Sequence, residues 1–240
     1  MGTRRMVFFD WAMKYYLCNN DNLDILEGFL SELLYQKILI KQIVKSDENR
    51  KNKYGRFNQV EILAEADGKE LVFIELQHGG IADYFYRMLN AVKKSITDCN
   101  DVRKAYSINI IYFDFIKGDD YIYCNNKGFH TNNKLYLSDL QHRLCHTTVV
   151  DDLNPEKYII SICNFSNNEP KNTLDEWIFY LSHSKIQDHF TAQGMDKARK
   201  ILLMSNLTDE EQRQYWRSID GRRNDDSIIQ TAITDGKYQQ

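Results

Sequence analysis

"VEILAEADGKELVFIELQ", residues 60–77, decides the fold. Two short runs rich in Val, Ile, Leu and Phe flank an Asp-Gly pair, which is the pattern of a β-hairpin. Each run also carries a carboxylate, Glu61 and Glu75, and Gln77 follows two residues later. An acid inside an apolar strand is costly unless something pairs with it. A two-residue turn at Asp67-Gly68 would pair 61 with 74 and send the two acids to opposite faces. A three-residue turn, Ala66-Asp67-Gly68, would pair 61 with 73 and leave them diagonally placed on one face, with Gly68 in the left-handed position such a turn favours. The sequence permits either.

Outward from the hairpin, residues 22–40 read as an amphipathic helix, with Leu23, Leu26, Leu30, Leu33 and Leu34 at three- and four-residue steps. Glu27 borders that stripe and is expected to be more buried than Glu32. After the hairpin, residues 81–99 read as a second helix that carries Arg87 and Lys94 on one face. "YSINIIYFDF" (106–115) reads as a central strand, and further strands are expected at 121–124, 134–138 and 157–165. From about residue 167 the pattern turns helical, and Thr208 with Glu211 forms a capping-box signature. The expected organisation is an α/β domain with a mixed sheet over residues 1–166 and a helical region over 167–240.

Composition narrows the class. The 240 residues are 42% hydrophobic and 27% charged, as in ordinary globular proteins. No apolar run approaches the roughly 20 residues of a membrane span, and the N-terminus does not read as a signal peptide. Five widely spaced cysteines with no C-x-x-C argue against a disulfide framework or a zinc ribbon. A cytoplasmic location is expected. Net charge is −3, yet residues 1–60 hold 10 Lys/Arg against 7 Asp/Glu. That excess peaks at Arg50, Lys51, Lys53 and Arg56, which form either a solvated loop or a loop that contacts phosphates.

Clustered carboxylates suit a hard divalent cation. Mg²⁺ keeps several waters, so Glu61 and Glu75 are a sufficient pair of protein ligands, with Glu27 as a third ligand or a holder of bound water; Glu61, Glu75 and Gln77 are expected to face one side, toward the N-terminal part of the helix at 22–40. The same acids can instead be polar positions on a half-exposed hairpin.

Six stretches in order, "FFDWAMKYYL", "NLDILEGFLSELL", "FNQVEILAEADGKELVFIELQ", "DYFYRMLNAVKKSIT", "SINIIYFDF" and "LDEWIFYLSHSKI", resemble the PD-(D/E)XK nuclease family transposases, the Rpn-like recombination-promoting nucleases. The resemblance implies a restriction-endonuclease-like core and a metal-dependent DNA endonuclease tied to recombination or a mobile element. Its cofactor would be Mg²⁺, with Mn²⁺ as a substitute, its partner DNA, and its double-strand cleavage would suit a homodimer. By the same resemblance Glu27 matches the first-helix acid, and Glu75 and Gln77 match the E-x-Q of this branch. Arg87 and Lys94 match basic positions that steady phosphate oxygens. Glu61 departs from the family pattern, which has Asp there. That departure supports an alternative: a catalytically impaired nuclease fold that acts as a DNA-binding or regulatory protein. A further alternative is an interaction module whose C-terminal helices are the working part.

Overall fold

The computed structural model describes residues 6–46, 59–79, 104–112, 120–125, 129–131, 156–165 and 169–220. Seven strands among them form one sheet: β1 (Ile38–Ser46), β2 (Gln59–Ala66), β3 (Glu70–Gly79), β4 (Lys104–Ile111), β5 (Ile122–Asn125), β6 (Phe129–Thr131) and β7 (Glu156–Ser161). Their spatial order is β1-β2-β3-β4-β7-β5-β6. β1, β2 and β3 pair antiparallel, β3, β4 and β7 pair parallel, and β5 pairs antiparallel with both β7 and β6. The sheet is therefore mixed, as the sequence predicts.

The described helices are α1 (Phe9–Ala12), which runs on as a π-helical turn over Met13–Leu17, α2 (Leu23–Leu34), α3 (Thr173–His183), α4 (Met195–Ile201) and α5 (209–220). α2 is shorter than the predicted helix over 22–40. It ends where Tyr35 takes a left-handed conformation, φ 52°, and the chain turns directly into β1. Ser31 supports that exit by accepting the Ile38 amide through its hydroxyl at 2.9 Å. The β-branched content of "ILIKQIV" was the available signal for a strand. The predicted helix over 81–99 and strand over 134–138 lie outside the described residues.

The two faces of the sheet differ. Val60, Ile62, Ala64, Val72, Ile74, Leu76, Tyr106, Ile108 and Ile160 share one core with Ile25, Leu26, Phe29 and Leu30 of α2. On the other face Leu63, Phe73 and Ala105 form a small separate cluster. Period-two alternation puts the odd-numbered residues of β2 and β3 on this second face.

The C-terminal helices enter the main core. Trp177 packs on Phe29, ring centroids 5.8 Å apart, and Phe9 meets both Phe29 and Tyr180 edge-on. Tyr180 donates its hydroxyl to the Val7 carbonyl at 3.0 Å. The buried Glu176 carboxylate accepts the amides of Thr191 and Ala192 at 2.7 and 2.6 Å. Hydrogen bonds to a charged group contribute about 1.5–3 kcal/mol each, so this joint between α3 and the approach to α4 is strong. The predicted capping box is present at α5. The Thr208 amide donates to Glu211 Oε2 at 2.7 Å, and the Glu211 amide to Thr208 Oγ1 at 3.3 Å.

Where α2 meets the turn before α4, backbones touch. A Cβ at Gly28 would lie 2.1 Å from the Gln193 carbonyl oxygen. Nothing there is a flexible side chain end that could yield. Gly28→Ala should destabilise the chain by about 3 kcal/mol, a Tm drop of about 6–12 °C at this size. Thermal unfolding checks it, and an unchanged Tm would show that the two segments separate without cost.

Candidate active site

The hairpin turn is neither of the two the sequence suggested. Asp67 and Gly68 both take positive φ, 51° and 68°. The Lys69 amide donates to the Ala66 carbonyl at 3.0 Å. Pairing resumes at Ala66 opposite Glu70, so the loop is Asp67-Gly68-Lys69. A third strand supplies the reason. The Lys37 amide donates to Asp67 Oδ1 at 2.9 Å, and the Asp67 amide donates to the Lys37 carbonyl at 2.8 Å. The turn is pinned to the start of β1, and local turn preference yields to that constraint.

This register places Glu61 directly opposite Glu75, rather than opposite residue 73 or 74. Both positions fall on the face of Leu63 and Phe73. Residues directly opposite in an antiparallel ladder have Cβ atoms about 4.5–5.5 Å apart. Glu61 is only 4% exposed. Carboxylate oxygens are the donors a hard divalent cation takes. The two positions therefore fit Mg²⁺. Among the described residues, no group of three or more His, Cys, Asp or Glu side chains gathers to hold an ion.

The sheet extends the row. Glu75 neighbours Ser107 on β4, and Ser107 neighbours Lys157 on β7. Ser107 is buried, and its hydroxyl accepts from Asn109 Nδ2 at 3.4 Å. One step along, Gln77 lies between Gln59 on β2 and Asn109 on β4. Sequence reading overlooked Ser107, Asn109 and Lys157. The alternating polar residues in "YSINI" were the signal, hidden by treating the run as continuously apolar.

Glu27 is not brought to this row. Its Oε1 accepts the Ile40 amide of β1 at 2.7 Å. Ile40 pairs with Ala64, three residues along β2 from Glu61, or about 10 Å at the usual strand rise. Glu61, Glu75 and Gln77 were expected to face the helix that carries Glu27, and the sheet instead turns that helix toward the even-numbered, apolar positions. Glu27 and Glu32 are both half-buried, and Glu32 has its own partner, the Thr173 hydroxyl at 2.6 Å. Arg50, Lys51, Lys53, Arg56, Arg87 and Lys94 lie outside the described residues.

A sequence profile described as PD-(D/E)XK nuclease family transposase matches residues 7–232. The chain belongs to this family. No curated protein and no solved structure matches it. Its mixed sheet with packed helices is the restriction-endonuclease-like α/β fold. Membership supports a nuclease hydrolase linked to transposition or recombination, with DNA as the implied substrate. No helix among the described residues is long and apolar enough to cross a membrane.

A second polar cluster lies on the main-core face at the start of β4 and β7. Glu156 accepts from Tyr158 Oη at 2.7 Å and Cys124 Sγ at 3.4 Å, and pairs with Lys104 at 2.7 Å. Burial alone would raise the Glu156 pKa, but the bonds from Lys104, Tyr158 and Cys124 hold it below its ordinary value. Burial pushes the Cys124 thiol up to about 11. This cluster ties three strands together and presents no nucleophile at neutral pH. A carboxylate with a depressed pKa stabilises the fold above its ordinary value of 4.5 and loses that effect as pH falls through the folded-state value. The Tm deficit of Glu156→Gln should thus be full at pH 6 and shrink steadily below about pH 4.5. A deficit that does not change with pH would deny the carboxylate its charge-dependent role.

Proposed function

We propose that the protein is a Mg²⁺-dependent DNA endonuclease that hydrolyses backbone phosphodiesters during recombination or element movement, with Glu61 and Glu75 as the metal ligands. The observation that carries this reading is the direct pairing of Glu61 with Glu75 on adjacent strands of a nuclease-family sheet. A bound Mg²⁺ would supply an acidified water and positive charge against the phosphate oxygens. Water adds to phosphorus and one P–O ester bond breaks, leaving a phosphate on one end and a hydroxyl on the other. Gln77, one register step away, orients the nucleophile through an amide that neither carries charge nor takes the proton. Arg87 and Lys94, with Arg50, Lys51, Lys53 and Arg56, contact backbone phosphates. Glu27 supports the site from outside it, through its hydrogen bond to β1. The enzyme works in the cytoplasm, and a homodimer would deliver cleavage of both strands.

The test is cleavage of supercoiled plasmid in Mg²⁺ and in Mn²⁺. Glu75→Ala should abolish cleavage. Without metal its Tm should stay level or rise, because the change removes one of two like charges placed directly opposite each other. A large loss of metal-free stability would mark Glu75 as a structural ion-pair partner instead.

Glu61 is one methylene longer than the Asp of the family pattern. A misplacement of about 1 Å can cost on the order of 10²-fold in rate. Glu61→Asp is expected to raise cleavage, by up to that factor, and more in Mg²⁺ than in the less demanding Mn²⁺. If Glu61→Asp and Glu61→Gln both cleave like the wild type, Glu61 does not bind the metal.

A further inference from the structure

We propose that Lys157, on β7, is a catalytic residue of this site, its ammonium contacting the scissile phosphate from across Ser107. The inference rests on the nuclease reading given above. It starts from a row that crosses the sheet: Glu61 on β2, Glu75 on β3, Ser107 on β4 and Lys157 on β7 are successive ladder partners. Partners in a ladder share a face, so all four positions lie on the side away from α2. Neighbouring strands are about 4.8 Å apart, which puts the Lys157 backbone about 10 Å from that of Glu75.

The residue between them sets what Lys157 can reach. Ser107 is short, and its hydroxyl is engaged by Asn109. A lysine stem can extend over so small a side chain, while a branched or aromatic residue at 107 would close the path. The neighbouring odd-numbered position on β4, Ala105, is also small and buried. On β4 the path from β7 toward β3 thus crosses Ser107, with Ala105 on one side of it and Asn109 on the other.

Charge gives the lane its use. Phosphodiester hydrolysis builds negative charge on the phosphorus oxygens, and a fixed cation beside them lowers the barrier. Gln77 brings no charge to the site. Lys45, the ladder partner of Glu61, sits at the end of edge strand β1 beyond an irregularity in pairing. Lys157 instead belongs to an interior strand held on both sides, by β4 and β5. An interior strand holds a catalytic group to tighter tolerance than an edge does.

Lys157→Met and Lys157→Arg, each in the full chain, test this with two readouts. The first is Mn²⁺ affinity without DNA, by calorimetry. Removing a cation beside a metal site should leave Mn²⁺ binding as tight or make it several-fold tighter. The second is plasmid cleavage, which should fall on the order of 10²-fold in Lys157→Met, the usual loss when a transition-state donor is removed. Lys157→Arg should recover most of it. Cleavage by Lys157→Met within about threefold of wild type overturns the inference and leaves the nuclease reading standing. Weaker Mn²⁺ binding together with a lower metal-free Tm overturns it too, since Lys157 would then only hold the carboxylates in place. A wild type that neither binds Mn²⁺ nor cleaves overturns the nuclease reading itself, and this inference with it. If Lys157→Met does not fold, Lys157→Gln takes its place in both measurements.

Discussion

Two hydrogen bonds between Asp67 and Lys37 govern the geometry of the candidate site. They join the tip of the β2–β3 hairpin to Lys37, the residue just before β1, so three strands acquire their register together. Side chains alternate with period two, and a one-residue slip would carry Glu61 to the apolar face while leaving Glu75 behind. The short Asp side chain accepts the Lys37 amide and tolerates positive φ, and Gly68 beside it tolerates the same conformation at little cost. A site that needs two carboxylates opposite each other thus depends on a turn some five residues away.

The sheet separates stability from chemistry by face. One side, apart from the Glu156 cluster at its edge, is apolar and buried against α2 and the C-terminal helices, and that burial is the main favourable term in folding. The other side carries Glu61, Ser107, Asn109 and Lys157 beside a small apolar cluster. The core on the apolar face is extensive and does not include Glu61.

The sequence made the hairpin, α2, the β4 strand and the capping box of α5 legible because each rests on local signals: alternation, leucine spacing and a cap three residues ahead of its partner. It misjudged what tertiary contact decides. The turn register depended on Lys37, thirty residues from Asp67. The strand β1 was absorbed into the preceding helix because its apolar run continues the leucine pattern, and only the left-handed Tyr35 separates the two. Glu27 borders the leucine stripe, and the edge-strand amide that its oxygen accepts, at Ile40, is set by tertiary packing rather than by any local signal. Lys157 comes beside Ser107 only through the pairing of β7 with β4, since fifty residues of chain separate the two.

The described helices after residue 167 share the main core with the N-terminal part of the chain. Trp177, Tyr180, Leu202 and Tyr215 belong to the same core as Phe9 and Phe29. Gly28 admits the Gln193–Gly194 backbone to contact distance, and Lys197 pairs with Asp24 at 2.7 Å on the same helix. A glycine contact and a half-exposed ion pair are weak individually. Their effect is positional: they hold α2 at one height against α3 and α4. α2 in turn carries Glu27, which fixes β1 beside its first irregularity. Lys37, the residue just before β1, fixes the hairpin tip. The chain of contacts from the C-terminal helices to the opposed carboxylates is therefore continuous, and the helices contribute to the site by holding the strand that sets its register.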